Sequence, residues 1–127
     1  MTDRLQVEQL VHELHAARLK GDLERLCELY AADARLRIAG SSDGKPIAIV
    51  ANGIAEIRPW LSILLKTFRL SQYMILSLSV DVPRAAAHWR VDIHSKITGV
   101  VVPTELVDLI DVRGNRIASH TELFVPC

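Results

Sequence analysis

From Arg69 to Val125 the chain reads as strand almost without a break. Residues 70–80, 85–97, 101–112 and 116–125 are rich in β-branched and apolar side chains, and only Asp81-Val82-Pro83-Arg84, Gly99 and Arg113-Gly114-Asn115 divide them. Four long strands joined by short turns make an antiparallel meander. Such a sheet needs one face covered, and the cover has to come from the first half of the chain.

That half supplies helices. Val7, Leu10, Val11, Leu14 and Ala17 recur at helical spacing over residues 4–20, with Asp3 placed as N-cap and Gly21 as the stop. Asp22 offers the next N-cap, for a short helix with the stripe Leu23, Leu26, Cys27 and Tyr30 that ends near Ala31. Residues 34–39 and 46–50 are β-compatible and flank the turn-forming run Gly40-Ser41-Ser42-Asp43-Gly44. Ile54, Ile57, Leu61, Leu64, Leu65 and Phe68 return to helical spacing, and Pro59 predicts a kink there or a helix whose regular part begins at the proline. Helices first and strands late is an α+β pattern, and 127 residues suit one domain covering residues 1–127.

Composition removes several function classes. Fifteen Lys and Arg balance fifteen Asp and Glu with no block of like charge, so neither a nucleic acid nor an anionic membrane surface is an expected partner. No apolar run is long enough to span a bilayer or to form a signal-peptide core, which makes a cytoplasmic location the expectation. Cys27 and Cys127 form no C-x-x-C pair, so reduced thiols are expected, with Cys127 at a frayed terminus. Phosphate-binding glycine loops, G-x-S-x-G and H-E-x-x-H are all missing, and neither cofactor nor metal is expected. His12 and His15, three apart on the first helix, read as a solvated edge.

Chemistry concentrates on the strands. In residues 85–97, His88, Arg90, Asp92, His94 and Lys96 share one face, while Ala87, Trp89, Val91 and Ile93 share the other. Periodicity by itself turns the apolar face to the core and leaves the polar face in solvent. His120 and Glu122 share a face of the last strand, two strands away, where they can converge across Thr104, Leu106 or Asp108.

The order helix, helix, hairpin, helix, meander resembles the cone-shaped superfamily of nuclear transport factor 2, ketosteroid isomerase, limonene epoxide hydrolase and the SnoaL-like polyketide cyclases. The stretch from Gly21 to Ala34, GDLERLCELYAADA, is similar to the second-helix and first-strand entry of ketosteroid isomerase and many SnoaL-like proteins. The resemblance implies three N-terminal helices packed on a curved, mainly antiparallel sheet, a deep pocket for a small hydrophobic ligand, and a homodimer. It turns the polar face of residues 85–97 into the pocket and leaves Trp89, Val91 and Ile93 as the dimer surface.

The isomerase's phenol donor and carboxylate base fall near Leu14 and Ile38, which carry no titratable group. Arg90-Val91-Asp92 instead resembles the Arg-x-Asp motif of the epoxide hydrolase, with Glu122 where that enzyme has its third catalytic residue, an aspartate. The resemblance therefore implies an acid-base set of Arg90, Asp92 and Glu122, with His88, His94 and His120 in reserve and Trp60, Leu64, Met74, Tyr30 and Leu106 as pocket walls. Aliphatic residues around Leu36 and Ile38 depart from the side chains that hold the hydrolase's water. Two functions follow as expectations: cofactor-free hydration, isomerisation or cyclisation of a hydrophobic cyclic molecule, or a non-catalytic module that binds a ligand or dimerises.

Overall fold

A computed structural model of the chain describes residues 3–42 and 44–125. Helix α1 spans Arg4–Lys20 and α2 Leu23–Leu29. Strands β1 (Tyr30–Ser42) and β2 (Lys45–Asn52) precede α3 (Ile54–Thr67), and the meander is β3 (Phe68–Asp81), β4 (Arg84–Ser95), β5 (Val101–Arg113) and β6 (Arg116–Val125). Two helices are therefore N-terminal, and the third stands mid-chain between the hairpin and the meander, which corrects the expectation of three N-terminal helices.

The caps sit where the sequence puts them. The Asp3 carboxylate accepts from Gln6 N–H at 2.9 Å while Gln6 Oε1 accepts from Asp3 N–H at 2.9 Å, a reciprocal box that satisfies two otherwise orphan donors. Gly21 ends α1 at φ 71°, a left-handed conformation that favours glycine. Asp22 Oδ1 then accepts from Arg25 N–H at 3.1 Å to start α2. Gly53 N-caps α3, which runs on past Pro59 in its second turn.

The six strands form one sheet in the order β2-β1-β6-β5-β4-β3. Every neighbouring pair is antiparallel except β1 with β6, which is parallel. Register shifts in β1 between Tyr30 and Arg35, and in β3 between Ser71 and Met74, mark bulges of the kind that bend a sheet. The first bulge also explains why β1 starts at Tyr30, four residues earlier than strand propensity suggests: Tyr30 pairs with Ile117 before the register shifts. The helices cover the concave face, where Val7, Val11 and Leu14 of α1, Leu26 of α2 and Ile57 of α3 are sealed against Leu36, Ala87 and Ile110. Among the described residues no helix is long and apolar enough to cross a membrane.

Candidate functional site

The register of the meander stacks polar residues on the concave face. Ala87 opposes Asp108, Asp108 opposes Glu122, and Glu122 opposes Ile38, so one row crosses β4, β5, β6 and β1. The next row runs Ala85, Ile110, His120, Leu36. His120 and Glu122 thus flank Asp108 diagonally and directly, and α1 lowers His15 and Arg18 onto them from above.

Asp108 is the hub. It is fully buried, and its Oδ2 accepts from His15 Nε2–H and Trp89 Nε1–H, both at 2.8 Å, while Oδ1 accepts from His120 Nε2–H at 2.8 Å. A carboxylate can only accept, so both imidazoles present a protonated Nε2 to it. On the other side of each ring, Nδ1 of His15 is hydrogen-bonded with the Tyr73 hydroxyl at 2.7 Å and Nδ1 of His120 with the Tyr30 hydroxyl at 2.8 Å. Burial pushes the Asp108 carboxyl up, but His120 and His15 more than offset this and hold it well below the usual carboxylate range. Burial pushes the Tyr30 phenol up, so its hydroxyl stays protonated. No buried side-chain nitrogen or oxygen among the described residues lacks a hydrogen-bond partner.

Glu122 stands at the border between this network and a cavity. Arg18 Nη1 donates to its Oε2 at 2.8 Å, and His120 Nε2 lies 4.0 Å from the same oxygen. The two side chains are 12% and 1% exposed, so the pair is largely out of water. Burial raises the Glu122 carboxyl above its ordinary value, with the charge of Asp108 adding to the rise and Arg18 opposing it. For Arg18, burial disfavours the cation, yet Glu122 outweighs it and the guanidinium stays charged. The Arg18 guanidinium also lies 6.0 Å from the Trp89 ring centroid, within cation–π range.

The cavity holds about 210 Å³. Ile38, Ile47 and Ile49 of the hairpin, Leu64 and Leu65 of α3, Leu70 and Ile93 of the meander, and Phe68 and Phe124 make its apolar walls; Arg18 and Glu122 supply the polar ones. Asp108, His120 and Glu122 bring ligand atoms within 4.8 Å of one another, close enough for an ion. Both Asp108 oxygens and Glu122 Oε2 already accept N–H bonds, however, and the His120 nitrogen facing Asp108 carries a proton instead of a free lone pair. The donor set fits a hydrogen-bond network better than a metal centre.

The expected acid-base set does not assemble. Trp89 and Val91 are buried on the concave face, so Arg90 and Asp92 project from the opposite side of β4, and Glu122 faces the interior. Arg90 is exposed and bonds Glu105 Oε1 at 3.1 Å; His88 reaches Glu105 Oε2 at 3.1 Å; His94 meets Ser71 Oγ at 2.6 Å and Arg69 at 3.2 Å. The polar face of β4 therefore does not line the pocket, and Trp89 and Val91 are unavailable as a dimer surface. Of the reserve groups, only His120 joins Glu122 inside. Among the expected walls, Leu64 lines the cavity, Leu106 lies buried beneath Trp89, and Tyr30 is in the core on His120. Met74 and Trp60 are exposed, at 55% and 38%. Cys27 is a free, half-buried thiol, and Cys127 lies outside the described residues.

A family described as the SnoaL-like domain matches residues 11–120, which takes in all but one of the interior polar residues just described. The chain belongs to the SnoaL-like domain family. No curated protein matches it in sequence. Among solved structures, this SnoaL-like domain is similar to a candidate isomerase from Bacillus subtilis, with TM-score 0.85 and 20% identity over 99% of this chain and 91% of that one. An NTF2-like protein from Burkholderia xenovorans LB400 matches with TM-score 0.81 and 21% identity over 98% and 93% of the two chains. An LEH-like epoxide hydrolase of M. tuberculosis follows with TM-score 0.75 and 12% identity over 95% and 84%. At these identities the likeness is one of fold.

Of the site residues of this SnoaL-like domain, sequence reasoning passed over Arg18, placed His15 on a solvated helix edge although it is buried, and named Asp108 only as a position across which His120 and Glu122 converge. Signals for them existed. Val7, Val11, Leu14 and Arg18 step by four, three and four along α1, so Arg18 continues the buried stripe, and His15 stands four after Val11. In β5, Asp108 interrupts the inward series Leu106, Ile110, Val112, and a charge on an otherwise apolar face marks a buried polar site.

Proposed function

We propose that this SnoaL-like domain binds a small apolar molecule in the cavity between α3, the β1–β2 hairpin and the meander, with Glu122 as the group that exchanges a proton with it. The observation that carries this reading is a buried carboxyl, shifted upward, on the wall of an otherwise aliphatic cavity. One such group can take a proton from one carbon of a bound molecule and return it to another, as an isomerisation requires. Hydration needs a second group to hold water, and Arg18 and Glu122 are the only ionisable residues among the described ones lining the cavity. The likeness to a candidate isomerase is consistent with this choice.

Exchange of the α-hydrogens of cyclohexanone in D2O tests the reading. The wild-type protein is expected to accelerate deuterium uptake, and Glu122→Gln to bring the rate back to background. Binding without accelerated exchange leaves a non-catalytic ligand-binding domain, a reading that the pinning of Glu122 by Arg18 favours. Absence of binding rejects both.

A homodimer is proposed on the convex face of the sheet, the outer face that the resemblance implies, but carried by the residues opposite Trp89 and Val91. Leu109 and Met74 are exposed there, at 44% and 55%.

A further inference from the structure

Resting on the cavity reading, we infer that the ligand carries no net charge and presents a hydrogen-bond donor and acceptor side by side, as a carboxamide, lactam or undissociated carboxylic acid does. Arg18 and Glu122 meet through one hydrogen bond, Nη1 to Oε2. No buried side-chain polar atom is left unsatisfied among the described residues, so Glu122 Oε1 and the remaining guanidinium N–H groups keep access to the cavity that both residues line. The wall therefore offers an acceptor and a donor next to each other, complementary to a ligand group with the opposite pair.

Charge sets the second half of the inference. The cation and anion on the wall cancel, and the rest of the lining is aliphatic or aromatic, so a charged ligand meets one favourable and one repulsive partner while losing its hydration. A neutral group with one N–H or O–H and one C=O engages both. Size sets the rest: an apolar cavity of about 150 Å³ holds benzene, and 210 Å³ admits one ring with a short substituent.

The test is an NMR titration that follows the Ile38, Ile49 and Ile93 methyl groups, all on the cavity wall, with benzamide, acetophenone, benzoate, benzylamine and toluene. Benzamide is expected to bind on the order of tenfold tighter than acetophenone or toluene, the worth of one extra hydrogen bond to a charged group. Benzoate and benzylamine are expected to be weakest. In the doubly neutral Arg18→Met/Glu122→Gln protein the preference for benzamide should shrink to that of a plain apolar pocket. Equal binding of all five, a preference for toluene, or a preference for either ion overturns the paired-group inference and leaves the cavity reading intact. Failure of all five to shift any cavity methyl overturns the cavity reading, and this inference with it.

Discussion

Two arginines show how differently one residue type can be used. Arg90 lies in solvent against Glu105, where high dielectric and side-chain freedom leave an ion pair little net effect. Arg18 is folded under α1 against a carboxylate that is largely out of water. Replacing Arg18 by Ala strands the Glu122 charge and should cost about 3–5 kcal/mol in urea unfolding, whereas Arg90→Ala should leave the midpoint nearly in place. Glu122 also makes a pH prediction. Its folded value is raised, so between that value and its unfolded one, near pH 4.3, the native state binds more protons than the unfolded chain. Stability contributed there rises as pH falls, and Glu122→Gln should abolish that part of the slope. Asp108 acts in the opposite sense: its lowered value contributes stability above about pH 3.9 that is lost as acid protonates it. Denaturation curves from pH 3 to 8 separate the two.

Among the elements, α1 and the β1–β6 junction decide the site. Helix α1 carries two of its polar residues, and its boundaries were legible because Asp3 and Gly21 are chemically suited to start and stop a helix. The parallel pairing of β1 with β6 was not legible, since it joins segments nearly ninety residues apart and no turn announces it. That junction places Gly40 against Phe124, a cavity wall, so closely that a Cβ on Gly40 would stand 2.5 Å from the Phe124 carbonyl oxygen, and Gly40 has φ 120°. Gly40→Ala should therefore cost about 2 kcal/mol or more in unfolding and weaken ligand binding by moving Phe124. Native behaviour of this variant in both assays would show that the junction tolerates displacement.

At the level of the whole molecule, the convex face is where a second copy is proposed to dock. Sedimentation of the wild-type protein should give a dimer, and Leu109→Lys a monomer with an unchanged fold; a monomeric wild type rejects the proposal. Much of the architecture follows from the sequence alone. Local chemistry, periods of 3.6 and 2 punctuated by Asp, Gly and Pro, determines where helices and strands begin and end, and the order of elements together with the Gly21–Ala34 stretch points to the family. The sequence also shows that β4 has one polar and one apolar face, because alternation is a property of the strand itself. Periodicity read alone turns that apolar face inward, where Trp89 and Val91 lie, whereas the resemblance turns it outward; what fixes the choice is not a local property. It depends on what covers the sheet, and here α1 brings the rings and guanidinium that let Asp108, His120 and Glu122 be buried beside Trp89. A polar side chain can enter a core only when partners from distant segments satisfy it, so only the tertiary structure could decide that Asp108 and Arg18 join Trp89 in the interior.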